Sequence, residues 1–143
     1  MRVLITGMGG ELGTRVANLL ERDEGVGAVL GLDVDPPRRR LLRADFHRVD
    51  PRNGERTHDL VRGFDPTAVV HLGVYEPFAR SSPTSAIERT GAGTIALFDA
   101  LADSTALDRV VLRSGIEVYG RRRGAPACPD EEVVPDPSTP FGH

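Results

Sequence analysis

The sequence contains no lysine, and all 18 of its basic residues are arginine. This absence excludes a phosphate-binding loop of the GK[ST] type, a Schiff-base amine and a lysine that assists general acid catalysis. The single cysteine, Cys128, cannot build a disulfide framework or a multi-thiolate metal site. We therefore expect neither a metal site nor a redox pair in these 143 residues.

Long hydrophobic runs are also missing. The N-terminal run 3–5 is far shorter than the ~20 apolar residues of a membrane span, and no signal peptide precedes it. We expect a cytoplasmic protein with no membrane partner. The net charge of −3 lacks the basic footprint of a nucleic-acid binder, and the arginine clusters 38–40 and 121–123 are interpreted as solvated loop charge.

The length fits one domain, and the alternation of short apolar runs with longer amphipathic segments predicts a parallel sheet covered by helices on both faces. The predicted strands are 2–6, 28–33, 45–49, 67–72 and 109–113, and the predicted helices are 11–22, 55–62 and 85–103. The first helix rests on the helical spacing of Leu12, Val16, Leu19 and Leu20. We predict a Rossmann-type three-layer α/β/α fold with strand order 3-2-1-4-5. Residues 121–143 are predicted to form an extended loop.

A glycine-rich turn lies where the first strand ends and the first helix begins, the position of a nucleotide-binding turn. Gly7 permits the tight turn, Gly10 lets the backbone approach a pyrophosphate, and Gly13 lets helix and strand pack closely. The helix start, with Glu11 and Leu12, offers free N–H groups and a positive dipole end to phosphates.

Asp33 ends the second strand, 20 residues beyond Gly13. It is placed to accept hydrogen bonds from an adenosine ribose, and its charge would repel a 2′-phosphate, so NAD is favoured over NADP. The arginines at 38–40 keep NADP open, because a nearby arginine can offset that repulsion. Alternatively, Asp33 only caps the loop that follows it.

At this point the sequence resembles the extended branch of the short-chain dehydrogenase/reductase superfamily, the NAD-dependent epimerase/dehydratase family that includes UDP-galactose 4-epimerase. The resemblance rests on segments in the family's order: a TGxxGxxG turn at 6–13, then 31–33, 49–50, 70–73, 90–94, 118–120 and 132–142. It implies an NAD-binding Rossmann domain over 1–143, with 121–143 leading to an absent C-terminal substrate part.

The resemblance implies further cofactor contacts at later strand ends and on the third helix. These candidates are Val34, Asp50, Pro51, Leu72, Gly73, Val74, Thr90 and Arg113. It also implies an oxidoreductase or isomerase that transfers hydride to and from a nicotinamide, on a small-molecule substrate such as a sugar nucleotide.

The sequence departs from the family at its catalytic positions. The family's acid/base tyrosine aligns with Phe141, its hydroxyl residue aligns with Gly115, and its lysine would lie beyond His143. Ser114, one residue out of step, and Tyr119 of the VYG motif are the remaining catalytic candidates. We therefore expect dinucleotide binding without hydride transfer by these residues alone. A non-catalytic dinucleotide-binding module, a sensor or scaffold, is the alternative.

The remaining histidines and the helix 85–103 have simpler interpretations. His71, in the fourth strand, is expected to be a hydrogen-bonded core histidine, and His47 and His58 are expected on the surface or in loops. The fifth strand is predicted to be an exposed sheet edge, which favours association. Together with a helix 85–103 that mediates dimerisation, this edge makes a homo-oligomer possible.

Overall fold

The computed structural model describes residues 1–77, 79 and 82–143. In chain order the elements are β1 (Arg2–Thr6), α1 (Glu11–Leu20), β2 (Ala28–Asp33), β3 (Asp45–Arg48), α2 (Gly54–Phe64), β4 (Ala68–His71), α3 (Pro83–Leu101) and β5 (Arg109–Leu112). A 3-10 helix, which the sequence did not predict, follows at Ile116–Tyr119.

The five strands form one parallel sheet in the order β3-β2-β1-β4-β5, which confirms the predicted Rossmann-type architecture. Leu4 of β1 stands in register with Leu30 of β2 and Val69 of β4. Such apolar runs suit central parallel strands, because helices cover both faces of the sheet. The chain order reverses at β1 and β4, so their carboxyl ends form the switch point where ligands of open α/β sheets bind.

Successive side chains of a strand point to opposite faces, and this alternation divides the core into two layers. Leu4 packs in the layer beneath α2 and α3, whereas Val3 and Ile5 pack in the layer beneath α1. The first layer consists of Leu4, Leu30, Leu32, Val49, Val61, Val69, Leu97, Ala100 and Leu101. The second consists of Val3, Ile5, Met8, Ala17, Val26, Val29 and Ala68.

Helix α1 forms where the sequence predicts it, but only two of the four predicted apolar residues, Val16 and Leu20, pack against the core. Leu12 and Leu19 are 52% and 71% exposed, while the fully buried residues of the helix are Gly13, Thr14 and Ala17. The apolar spacing therefore identified the helix but only part of its buried face. Small residues carry that face because α1 begins immediately against the turn that follows β1.

Helix boundaries differ from the predicted ones because side-chain caps set them. Asn53 accepts a hydrogen bond from the Arg56 backbone N–H at 3.0 Å, so α2 begins at Gly54. Ser82 accepts one from the Ser85 N–H at 3.3 Å, and α3 begins at Pro83.

The other differences are small. Helix α1 ends at Leu20 rather than at residue 22, and the last three strands end one residue before their predicted ends. His47 and His58, expected on the surface or in loops, lie on β3 and α2 rather than in loops, and both are half-buried.

Residues 121–143 contain no helix or strand, as predicted, but they fold back toward the sheet. Arg121 N–H donates to Ser138 Oγ at 3.2 Å, and Arg122 pairs with Asp136 at 3.0 Å. Strand β5 is an edge of the sheet, with Val111 and Leu112 about half exposed. None of the described helices is long and apolar enough to span a membrane.

A buried carboxylate anchors the long connection between β2 and β3. Glu21, which caps α1, is 3% exposed, and its Oε2 accepts the backbone N–H groups of Leu42, Arg43 and Ala44 at 2.7, 3.0 and 3.3 Å. Burial raises the pKa of Glu21, but the backbone donors outweigh that effect and hold the pKa below its usual range.

Replacing Glu21→Gln should lower the free energy of unfolding at pH 7 by about 1–2 kcal/mol, because charge-assisted hydrogen bonds become neutral ones. The stabilisation from an acid with a lowered pKa is fully present above its unfolded-state value, 4.5. It is lost as the pH falls through the folded-state pKa. Denaturant unfolding from pH 7 to pH 3 measures the difference in unfolding free energy between the wild type and Glu21→Gln. This difference should shrink below about pH 4.5.

The exposed Glu24→Gln is the matched control and should change stability little. If the wild type and Glu21→Gln differ in unfolding free energy as much at pH 3 as at pH 7, this account is contradicted.

Candidate functional site

The carboxyl ends of β1, β2 and β4 and the start of α1 meet at one edge of the sheet. Gly7 follows β1 with φ of 74°, a left-handed conformation that favours glycine, and its N–H donates to the Leu32 carbonyl at 2.9 Å. A Cβ on Gly7 would lie 2.6 Å from the carbonyl carbon of Leu72. The turn therefore passes between β2 and β4 only with glycine here.

The start of α1 presents unpaired donors. Gly10 is the exposed N-cap, with no side-chain cap, and a Cβ there would meet only the Gly7 carbonyl oxygen, at 3.4 Å. Among the described residues, no acceptor is found for the backbone N–H groups of Glu11, Leu12 and Gly13. These donors and the helix dipole together suit an anion.

Gly13 fixes how α1 meets the turn. A Cβ on Gly13 would lie 2.1 Å from the Gly7 carbonyl oxygen and 2.7 Å from Met8 Cα, both backbone atoms that cannot move aside cheaply. The next residue, Thr14, donates its hydroxyl proton to the Met8 carbonyl at 2.9 Å. The packing role predicted for Gly13 is confirmed.

Asp33 ties β2 to the glycine turn. Its Oδ2 accepts the Gly9 N–H at 2.8 Å, and its Oδ1 accepts the N–H groups of Val34 at 2.6 Å and Asp35 at 3.3 Å. Burial raises the pKa of Asp33, although these backbone donors oppose the rise. Gly9 had no predicted role, but a Cβ there would lie 2.0 Å from the Asp35 carbonyl oxygen.

His71 is a core residue, as predicted, and it is only 4% exposed. Thr94 donates its hydroxyl proton to the Thr90 carbonyl at 2.8 Å, so its oxygen accepts from His71 Nε2 at 3.0 Å. Thr6 then donates to His71 Nδ1 at 2.5 Å. Burial lowers the pKa of His71, in keeping with a neutral ring that links β1, β4 and α3.

A partly open space of about 40 Å³, here called the inner cavity, lies between the ends of β2, β3 and β4 and helix α3. Asp33, Pro51, Gly73 and Tyr75 are among its lining residues. Asp50, just before Pro51, is held by Arg52 at 2.7 Å, and this hydrogen-bonded ion pair lowers the pKa of Asp50 to about 2.

A larger space of about 430 Å³, here called the outer cleft, opens between α3, the end of β5 and the chain terminus. The predicted residues Val74, Thr90, Arg113 and Ser114 all line it. Arg113 forms an ion pair with Glu76, which neutralises the guanidinium. The structure thus brings the candidates from β4, α3 and β5 to one cleft.

Two features of the outer cleft concern the family's catalytic positions. A Cβ on Gly115 would lie 2.4 Å from Glu117 Oε2, so the glycine leaves room for that carboxylate. Phe141 lines the same cleft. Tyr119 does not: it lines a separate pocket with Gly120, so the structure does not bring Tyr119 and Ser114 together.

Three residues near the site had no role in the sequence analysis: Gly9, Tyr75 and Glu76. Gly9 is an additional glycine within the GxxGxxG pattern, and this could have marked it as a residue of the turn. Tyr75 and Glu76 follow the end of β4 closely, but Tyr75 lines the inner cavity and Glu76 lines the outer cleft. No sequence pattern predicts in which direction such loop side chains point.

The chain matches the NAD dependent epimerase/dehydratase family over residues 3–143, and it belongs to that family. An uncharacterized protein of Mycobacterium tuberculosis is 32% identical over 123 residues, which cover 82% of this chain and 32% of that one. The chain therefore spans about a third of the length of this relative.

Two solved structures show the same fold. A UDP-glucose 4-epimerase with UDP-glucose from Thermotoga maritima has a TM-score of 0.81 and 23% identity, covering 99% of this chain and 47% of that one. A short-chain dehydrogenase/reductase superfamily protein from Agrobacterium tumefaciens with bound NAD has a TM-score of 0.75 and 27% identity, covering 99% and 41%. The chain spans less than half of each.

Replacing Gly13→Ala should lower the free energy of unfolding by about 1–3 kcal/mol, because the new Cβ overlaps backbone of the turn. The matched control is Gly63→Ala, at an exposed helical position with nothing within 4 Å of a Cβ. The control should raise stability by roughly 0.5–1 kcal/mol, the usual helix preference for alanine over glycine. Denaturant unfolding measures both, and equal effects of the two variants would refute the packing role of Gly13.

Proposed function

We propose that this chain binds NAD across the carboxyl edge of its sheet, with the pyrophosphate on the glycine turn and the adenosine ribose on Asp33. The observation that carries the proposal is a set of three backbone N–H groups, those of Glu11, Leu12 and Gly13, for which the described residues supply no acceptor. They follow Gly9, whose N–H is bonded to the Asp33 carboxylate. Gly10 leaves the approach to these donors open, because glycine has no side chain to obstruct it.

The residues at this edge of the sheet fit such a cofactor. Asp33 keeps acceptor capacity beyond its three backbone donors, since a carboxylate has about four lone-pair sites. Its negative charge supports NAD over NADP, as a 2′-phosphate would be repelled. NAD would supply hydride acceptance and donation, and the chain's own residues would bind and orient it.

We further propose that the whole protein is an epimerase/dehydratase-type oxidoreductase acting on a sugar nucleotide or a related small molecule. The family assignment supports this class. The outer cleft, with its Glu76–Arg113 ion pair, supports a polar ligand beside the nicotinamide end. Ser114 lies in this cleft and remains the better placed of the two catalytic candidates.

A non-catalytic dinucleotide-binding module is the second candidate. Its specific support is the outer cleft itself, where Phe141 has no proton to exchange and Gly115 has no hydroxyl. The chain has no lysine to lower the pKa of a tyrosine. The chain therefore has a surface suited to a dinucleotide but lacks the family's usual set of acid–base residues.

Calorimetric titration of the chain with NAD should show saturable binding. Gly10→Ala should weaken the affinity by about tenfold, ~1.4 kcal/mol, because a Cβ would stand between phosphate and the helix start. The variant should fold normally, since the added atom has only one ordinary contact. Gly63→Ala is again the control and should bind like the wild type. Absence of saturation with well-folded wild type would refute the proposed function.

Hydride transfer is tested separately on the same chain. With NAD and UDP-glucose, these residues alone should show neither epimerisation nor reduction of NAD at 340 nm, because the acid–base set is incomplete. Clear turnover would refute this expectation and exclude the non-catalytic alternative.

A further inference from the structure

The ring of Tyr75 stands in the inner cavity. The side chain is half-buried and lines that space together with Gly7, Asp33 and Pro51. The cavity's volume of about 40 Å³ accommodates a few water molecules, whereas ligand pockets in proteins measure roughly 300–1,000 Å³. An adenine ring enters this space only if one wall moves.

The other walls are held firmly. Gly7 is tied to β2 by its N–H, Asp33 accepts three backbone hydrogen bonds, and His71 is bonded on both ring nitrogens. Pro51 presses against α3, where a Cβ on Gly93 would lie 2.9 Å from Pro51 Cβ. Moving any of these groups breaks hydrogen bonds or separates packed backbone.

Tyr75 is held less tightly. Its backbone N–H donates to Thr90 Oγ1 at 2.9 Å, but its phenol forms no hydrogen bond with any residue that the structure describes. Burial and the nearby carboxylates Asp33 and Asp50 raise the pKa of Tyr75 to about 12, so the phenol stays neutral. Rotation of the ring about its side-chain bonds therefore breaks no hydrogen bond that the structure describes, and it leaves the backbone bond to Thr90 in place.

Arg89 backs the ring from helix α3. Its guanidinium carbon lies 5.6 Å from the centre of the Tyr75 ring, within the range of a cation–π contact. Arg89 Nε is buried, yet it has no hydrogen-bond partner among the described residues. The contact with Tyr75 thus favours the ring position that fills the cavity, without fixing it through directional bonds.

We propose that Tyr75 controls ligand entry to the inner cavity: its ring occupies the space that an adenine would take and must swing aside for the dinucleotide to bind. This inference rests on the proposed function, which places the adenosine ribose on Asp33, a residue that lines the inner cavity. Because displacing the ring costs free energy, only a fraction of the molecules has the cavity open at any time. The observed affinity for the dinucleotide is reduced by that fraction.

The test compares the intact chain and its Tyr75 variants by calorimetry with NAD, AMP and nicotinamide mononucleotide. If about one molecule in ten is open, Tyr75→Ala should bind NAD and AMP about tenfold more tightly. Nicotinamide mononucleotide, which lacks adenosine, should bind both proteins equally. Tyr75→Phe keeps the ring and should resemble the wild type, and Arg89→Met should give an intermediate gain.

Thermal unfolding checks that each variant is folded, and Tyr75→Leu replaces Tyr75→Ala if the latter is not. Unchanged or weaker AMP binding by a folded variant overturns the role of Tyr75, while NAD binding by the wild type would still support the proposed function. If neither wild type nor variant binds NAD or AMP, both proposals fail. Binding by the folded variant alone supports the role of Tyr75 but refutes the proposed function of the unaltered chain.

Discussion

The site depends on one steric constraint, the passage of a glycine turn between two parallel strands. Gly7 lies against the backbone after β4 and donates its N–H to the Leu32 carbonyl of β2, while Gly13 brings α1 against the backbone of Gly7 and Met8. Because both contacts are backbone to backbone, side chains cannot adjust to relieve a misfit. The positions of the helix donors and of Asp33 follow from this packing.

Much of this arrangement could be predicted from the sequence, because local rules determine it. Two apolar runs gave β1 and β2 with their observed limits, and the glycine spacing placed the turn between β1 and α1. The sheet order follows from the connection rules of parallel α/β folds. His71 was identified as a core residue because a histidine within a buried strand has few alternatives.

The remaining features depend on tertiary contacts that a sequence pattern does not contain. Leu12 and Leu19 have the spacing of a buried face, yet the close approach of α1 to the turn leaves room only for small residues there. Glu21 looks like a surface carboxylate until residues 42–44 fold over it. The position of the Tyr75 ring is likewise favoured by a tertiary contact, the guanidinium of Arg89.

The residues proposed to hold the pyrophosphate and the adenosine ribose lie on other elements than the residues at the family's catalytic positions. The groups that suit a dinucleotide belong to β1, α1 and β2, whereas the outer cleft is built from α3, β5 and the last residues of the chain. Loss of a tyrosine or hydroxyl in the cleft therefore removes no packing contact from the glycine turn. Such a domain can keep its affinity for NAD while its chemistry changes or disappears, and binding measurements alone do not establish an enzyme.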